Sequence, residues 1–135
     1  MNDPVAGAVE RDVVDLRIPA KAEWVAVARL AVAAVAGRCD FSLEDIEDIR
    51  LAIAEACTSV IRDARPWEHV EIRCETEPNE LVVTVRGGKA TAIRADARSE
   101  QGLGLLIIQS LMDSVEYQLE REGVVLQMRK RPQPR

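Results

Sequence analysis

One long amphipathic segment, residues 42–64, restricts the fold of this chain more than any other part of it. Its apolar residues recur at helical spacing and form a single stripe: Ile46, Ile49, Ile53, Cys57 and Val60. Ser42 supplies a helix N-cap, Asp45 follows three positions later, and Pro66 ends the segment. A helix of this length needs a second layer of structure against which its stripe can be buried.

The rest of the chain supplies that layer. Strand-like patterns cover residues 13–18, 69–76, 80–86, 115–120 and 123–129, and helical patterns cover 21–38 and about 102–112. Turn signals at Pro78-Asn79 and at Arg121-Glu122-Gly123 join four of the strands into two hairpins. The order β-α-α-β-β-loop-α-β-β predicts an α/β fold, a two-layer sandwich of helices on a mostly antiparallel sheet.

Length, charge and composition exclude several classes of protein. The 135 residues suit one domain, which we place at 12–130, with a flexible leader at 1–11 and a flexible basic tail at 131–135. The net charge of −5 argues against direct nucleic-acid binding, and no signal peptide or membrane-length apolar run is present. Three cysteines without CxxC spacing indicate reduced, buried thiols, and the single histidine excludes a multi-histidine metal site.

Two groups of residues in the sequence are candidates for ligand binding or catalysis. Gly102 and Gly104 precede the apolar run 105–112, where they form either a phosphate-binding turn at a helix N-terminus or an ordinary tight turn. On the long helix, four polar side chains fall opposite the apolar stripe: Asp48, Glu55, Ser59 and Arg62. The ordinary interpretation of these four is a solvated helix face.

Several motifs then match a known family in order and spacing. They are Val14-Asp15-Leu16-Arg17-Ile18-Pro19-Ala20, Leu51-Ala52-Ile53-Ala54-Glu55-Ala56-Cys57-Thr58, Gly102-Leu103-Gly104-Leu105, Leu111-Met112-Asp113 and Gly123-Val124-Val125-Leu126-Gln127-Met128. Over about residues 12–130 the chain resembles the anti-sigma-factor serine kinases of the RsbW type. These belong to the GHKL superfamily, whose fold is that of the histidine-kinase-like ATPases.

The resemblance implies a function in transcription regulation. Such proteins sequester a sigma factor from core RNA polymerase, and a STAS-type anti-anti-sigma antagonist competes for them. Many members use ATP and Mg²⁺ to phosphorylate a serine of that antagonist. They are typically homodimers in the bacterial cytoplasm, so the resemblance implies a cytoplasmic homodimer that acts in partner switching and stress response.

The resemblance also assigns roles to residues. Glu55 becomes the general base that takes the proton of the acceptor serine. Ser59 stands at the Mg²⁺ position, and a set of glycine-turn residues holds the nucleotide: Gly87, Gly88, Gly102, Leu103 and Gly104. Arg29 matches an arginine that contacts both the sigma factor and the antagonist; its alternative is an ordinary surface arginine. For Glu55 the structural alternative is an ion pair with Arg62 or Lys89, and the two glycines of the turn at 102–104 can also serve only to pack helix on strand.

Three departures from the family pattern all concern the nucleotide chemistry. Ser59 replaces an asparagine whose side-chain oxygen ligates Mg²⁺, and a serine has a shorter arm. Val85-Arg86-Gly87-Gly88-Lys89 lacks the carboxylate that accepts from the adenine amino group, and the lid, residues 87–102, is short. Three hypotheses follow: an anti-sigma factor that binds without catalysis, a working serine kinase with ATP or ADP and Mg²⁺, and a non-catalytic dimeric interaction module.

Overall fold

A five-stranded sheet carries three helices on one of its faces in the computed structural model, which describes residues 11–62, 64, 65, 67–87, 100–120 and 123–133. The strands are β1 (Val13–Pro19), β2 (His69–Glu77), β3 (Glu80–Arg86), β4 (Ser114–Glu120) and β5 (Gly123–Lys130). The helices are α1 (Val25–Ala36), which follows a 3₁₀ turn at Ala22–Trp24, α2 (Leu43–Ile61) and α3 (Glu100–Leu111). The two-layer α/β sandwich predicted from the sequence is confirmed.

The strands lie in the order β1-β2-β3-β5-β4, and each neighbouring pair is antiparallel. Both predicted hairpins, β2–β3 and β4–β5, are present. β3 pairs with β5, with Val83 opposite Met128, and this pairing joins the two hairpins into one sheet. The helices pack on one face of this sheet, where α1 contacts β1 and β2, α2 contacts β2, β3 and β5, and α3 contacts β4.

The core lies between that face and the helices. Alternate strand residues point inward and are buried: Val70, Ile72, Cys74, Leu81, Val83, Val85, Val124, Leu126 and Met128. They meet the predicted stripe of α2, in which Ile49, Ile53, Cys57 and Val60 are fully buried. Aliphatic side chains dominate, since the chain has only four aromatic residues and of these Phe41 alone is buried. The core is therefore the predicted one.

The opposite face of the sheet is open and polar. Arg73 donates to Asp15 at 2.8 Å, Arg86 to Glu120 at 3.1 Å, and Arg129 to Glu80 at 2.6 Å. The hydrogen bond from Arg73 lowers the pKa of Asp15. Long ion-paired side chains of this kind shield the apolar residues beneath them, which is why Val82 on this face is only 3% exposed.

Helix boundaries differ slightly from the sequence prediction. α2 begins as predicted, with Ser42 Oγ accepting from the Asp45 N–H at 3.1 Å, but it ends at Ile61 rather than near Ala64. α3 begins at Glu100, two residues before the predicted start. Glutamate and glutamine are good helix formers, and glutamate suits the first turn of a helix, so the helix extends beyond the apolar run that revealed it.

Burial controls the chemistry of the cysteines. Cys57 and Cys74 are buried in the core, as expected, and burial raises the pKa of each thiol to about 12. Cys39 is half-buried, and burial raises its pKa as well. All three are therefore neutral thiols at physiological pH and poor nucleophiles. Within the described ranges, no helix combines the length and the apolar character that a membrane crossing requires.

Candidate functional site

The junction of α2 and α3 brings three of the predicted site residues together. Glu55 and Ser59 lie one turn apart on the flank of α2 that faces α3. A Cβ placed on Gly104 would lie 3.1 Å from Ser59 Oγ and 3.3 Å from Glu55 Oε2. Gly104 thus leaves a small space beside a hydroxyl and a carboxylate, which almost any other residue would fill.

The interpretation of this flank as a solvated helix face is wrong for Ser59. Ser59 is only 6% exposed, and Asp48 and Glu55 are half-buried, because α3 packs against this side of α2. Arg62, near the end of the helix, is exposed as expected. The polar residues of the α2 flank therefore line a junction between two helices.

The two glycines lie within α3 and not in a turn ahead of it. Gly102 is in the first turn of α3, where backbone N–H groups have no carbonyl partner within the helix. Leu103 is 55% exposed. The N-terminal end of α3 thus presents unpaired backbone donors and the positive end of the helix dipole, features that suit an anion.

Gly87 has a packing role at the end of β3. A Cβ at this position would lie 1.9 Å from Val60 Cγ1 on α2, which is far inside van der Waals contact. Its N–H donates to the Val124 carbonyl at 3.0 Å. Gly87 therefore packs the end of β3 against α2, a role that was not predicted from the sequence. Gly88 and Lys89 lie outside the described residues.

Arg29 lies on α1, well away from the α2–α3 junction. It is the only polar residue of a helix whose sequence is VAVARLAVAAVA. It is half-buried, and its Nε has no hydrogen-bond partner among the described residues. Arg29 thus belongs to a different helix from Glu55, Ser59 and Gly104, the three residues that the structure brings together.

Side chains at the α2–α3 junction fit one part of a magnesium nucleotide. Glu55 and Ser59 offer oxygen atoms, which Mg²⁺ prefers, and Mg²⁺ commonly binds few protein ligands and takes the rest from phosphates and water. The free backbone N–H groups in the first turn of α3 suit phosphate groups. At the end of β3 the match is poorer, since Arg86 pairs with Glu120 and no carboxylate stands among the described residues 85–87.

The arrangement of strands and helices corresponds to a known domain. Residues 18–130 match the family model for the histidine kinase-like ATPase domain. The chain belongs to this family. The matched region runs from the end of β1 to the end of β5 and includes every element that forms the α2–α3 junction.

Several relatives within this ATPase family are named serine-protein kinase RsbW. That of Bacillus pumilus (strain SAFR-032) is 34% identical, in an alignment that covers 88% of this chain and 85% of the relative. That of Halalkalibacterium halodurans is 36% identical, with 88% and 83% covered. The one from Bacillus cereus (strain AH820) is 34% identical, with 87% and 83% covered. The resemblance to RsbW-type proteins noted in the sequence therefore extends over nearly the whole chain.

One buried polar cluster of this ATPase domain was not predicted. Lys130 ends β5 and is 6% exposed, and it lies near Asp45 and Asp48 of α2. No role was predicted for Lys130 from the sequence, which places it next to the basic tail. A signal was nevertheless present, because Lys130 continues the period-two alternation of Val124, Leu126 and Met128 toward the inner face of the sheet.

Proposed function

We propose that this protein is an anti-sigma factor that binds an alternative sigma factor through the outer face of α1 and is released when a STAS-type antagonist competes for that face. The observation that supports this most is that every residue of α1 except Arg29 is apolar. A helix of this kind is normally buried. Here Leu30 is 65% exposed, Trp24 43% and Val27 40%.

The composition of this surface suits a protein partner. We call Trp24, Val27, Arg29 and Leu30 the α1 surface. Tryptophan and arginine are the residue types that most often dominate binding energy at protein interfaces, and the half-buried Arg29 lies at the edge of the exposed apolar side chains. The net charge of −5 favours association with the basic, DNA-binding surfaces of a sigma factor.

The test is complex formation between the purified chain and each sigma factor of its source organism. We expect one stable complex with a dissociation constant on the order of nanomolar to micromolar, and the same affinity with and without ATP. Calorimetry measures the affinity, and addition of the unphosphorylated antagonist should displace the sigma factor. Failure of every sigma factor to bind at physiological salt would contradict the proposal.

A second candidate function, protein-serine kinase activity, is favoured by the contacts of Gly104 with Glu55 and Ser59. ATP, when bound with Mg²⁺, would supply the phosphoryl group to a serine of the antagonist. Glu55 would accept the proton of that serine, and Ser59 would hold the metal ion. The N-terminal turn of α3 would hold the phosphates.

We expect that, if the chain is a kinase, Glu55→Ala lowers the rate of antagonist phosphorylation by about 100-fold or more, the usual contribution of a general base. Calorimetry with ATP and Mg²⁺ measures nucleotide binding, and mass spectrometry of the antagonist measures phosphoserine. Glu47→Ala is the matched control, because Glu47 is an exposed glutamate of the same helix that pairs with Arg50 on the surface. An unchanged rate in Glu55→Ala, or no phosphoserine with the unaltered chain, would exclude the kinase mechanism described here.

A further inference from the structure

Lys130 places a charged ammonium group inside the protein. It follows Val124, Leu126 and Met128 on the inward side of β5, and its side chain is only 7% exposed. A lysine is almost never buried unless its charge is paired and its protons are used in hydrogen bonds. The partners of Lys130 therefore indicate why a cation stands at the end of this strand.

The partners lie at the ends of two helices. Lys130 Nζ donates to the carbonyl oxygen of Leu111, the last residue of α3, at 2.6 Å. It also lies 4.0 Å from Asp45 Oδ1 and 3.8 Å from Asp48 Oδ2, in the first two turns of α2. A helix C-terminus has unpaired carbonyls that attract cations, and a helix N-terminus favours carboxylates, so the ammonium group bridges the last carbonyl of α3 and two carboxylates in the first turns of α2.

This contact and the glycine contact define how α3 lies across α2. The C-terminal end of α3 is beside the start of α2, at Lys130, whereas Gly104 is beside Glu55 and Ser59 farther along α2. Gly104 and Leu111 are seven residues apart, which is about 10 Å along a helix. A shift of α3 at the Lys130 end would therefore move Gly104 relative to the Glu55 carboxylate.

We propose that Lys130 is a positioning residue: it ties the C-terminus of α3 to the N-terminus of α2 and thereby holds Gly104 at the Glu55–Ser59 pair. The relevance of that position to phosphates rests on the proposed nucleotide site. The role of Lys130 in holding α3 against α2 does not depend on that site, because it is defined by contacts among β5, α2 and α3.

A pair of variants separates positioning from simple stabilisation. Lys130→Met keeps an unbranched side chain of similar length but leaves Asp45 as an uncompensated buried charge, so we expect a lower melting temperature. Adding Asp45→Asn removes that charge and should restore most of the melting temperature. The double variant still lacks the bond to the Leu111 carbonyl, so α3 should remain loose although the protein is stable again.

Amide hydrogen exchange measures the local opening of α3 directly. In the stable double variant we expect the amides of residues 104–111 to exchange about tenfold faster or more than in the unaltered chain, while those of β2 and β3 keep their rates. Arg129→Met is the matched control, since Arg129 is the neighbouring cation of the same strand but pairs with Glu80 on the open face. We expect it to leave exchange in α3 unchanged.

ATP affinity supplies the second readout. If the unaltered chain binds ATP with Mg²⁺, the double variant should bind it about tenfold more weakly, again without a matching loss of stability. A double variant that regains its melting temperature and shows normal exchange in α3 would overturn the positioning role. Absence of ATP binding by the unaltered chain would count against the kinase function alone, because the exchange experiment decides the role of Lys130 by itself.

Discussion

Gly87→Ala is expected to lower the free energy of unfolding by about 3 kcal/mol, a large share of the stability of a domain of this size. The added Cβ would lie 1.9 Å from Val60 Cγ1, so β3 and α2 would have to separate. Val60 is fully buried and cannot rotate into solvent. Chemical denaturation followed by circular dichroism measures the loss.

Two further variants make this result specific. Gly37→Ala is the control, because a Cβ at Gly37 would lie 3.4 Å from the Ala33 carbonyl oxygen and the backbone there is right-handed helical, so its effect should be neutral or slightly stabilising. Val60→Ala removes the clashing methyl groups, so the double variant Gly87→Ala, Val60→Ala should be no less stable than Val60→Ala alone. An additive loss would show that the Val60 contact is not the cause.

Leu30→Asp is expected to weaken sigma-factor binding by roughly 30-fold or more, the size of effect found at the centre of protein interfaces. Leu30 is the most exposed large apolar residue of the α1 surface, so a carboxylate there remains solvated in the free protein but is desolvated by an apolar partner. Because surface substitutions rarely change stability by more than about 0.5 kcal/mol, the melting temperature should stay nearly constant. Calorimetry of the variant with the sigma factor gives the affinity.

Leu106→Asp provides the comparison for this experiment. Leu106 is 48% exposed on α3, and α2 lies between α3 and α1. The same substitution on the far side of the helical layer should leave sigma-factor affinity unchanged. Equal losses in both variants would indicate a general effect on the helices, and an unaffected Leu30→Asp would place the sigma-factor surface elsewhere.

The fold was largely predictable because each element carries a local signal. The stripe of α2, the Ser42 cap and the alternating strands are properties of neighbouring residues, and the structure reproduces all of them. The place of β5 between β3 and β4 was not predicted. Pairing between β3 and β5 depends on residues more than 40 positions apart, such as Val83 and Met128, and local periodicity does not encode such a choice.

The candidate site was predicted in its residue types but not in its environment. The resemblance to RsbW-type proteins indicated Glu55, Ser59 and Gly104, and the structure brings them together. The helical periodicity of α2 suggested that Ser59 faces water, because a single helix shows which side meets the sheet and not which flank a third helix covers. The same limit applies to Lys130, whose partners belong to the ends of two other elements.

The charged residues on the open face of the sheet help to select the native register of β1 against β2. Arg17 stands opposite Glu71, and Asp15 opposite Arg73. A slip of β1 by two residues would keep Val14, Leu16 and Ile18 on the inner face, where aliphatic side chains are nearly interchangeable. It would, however, set Arg17 against Arg73 or Asp15 against Glu71, and like charges directly opposite each other are unfavourable. The charged residues on the solvent-facing side of the sheet thus disfavour shifted registers that the aliphatic residues on the inner side would permit.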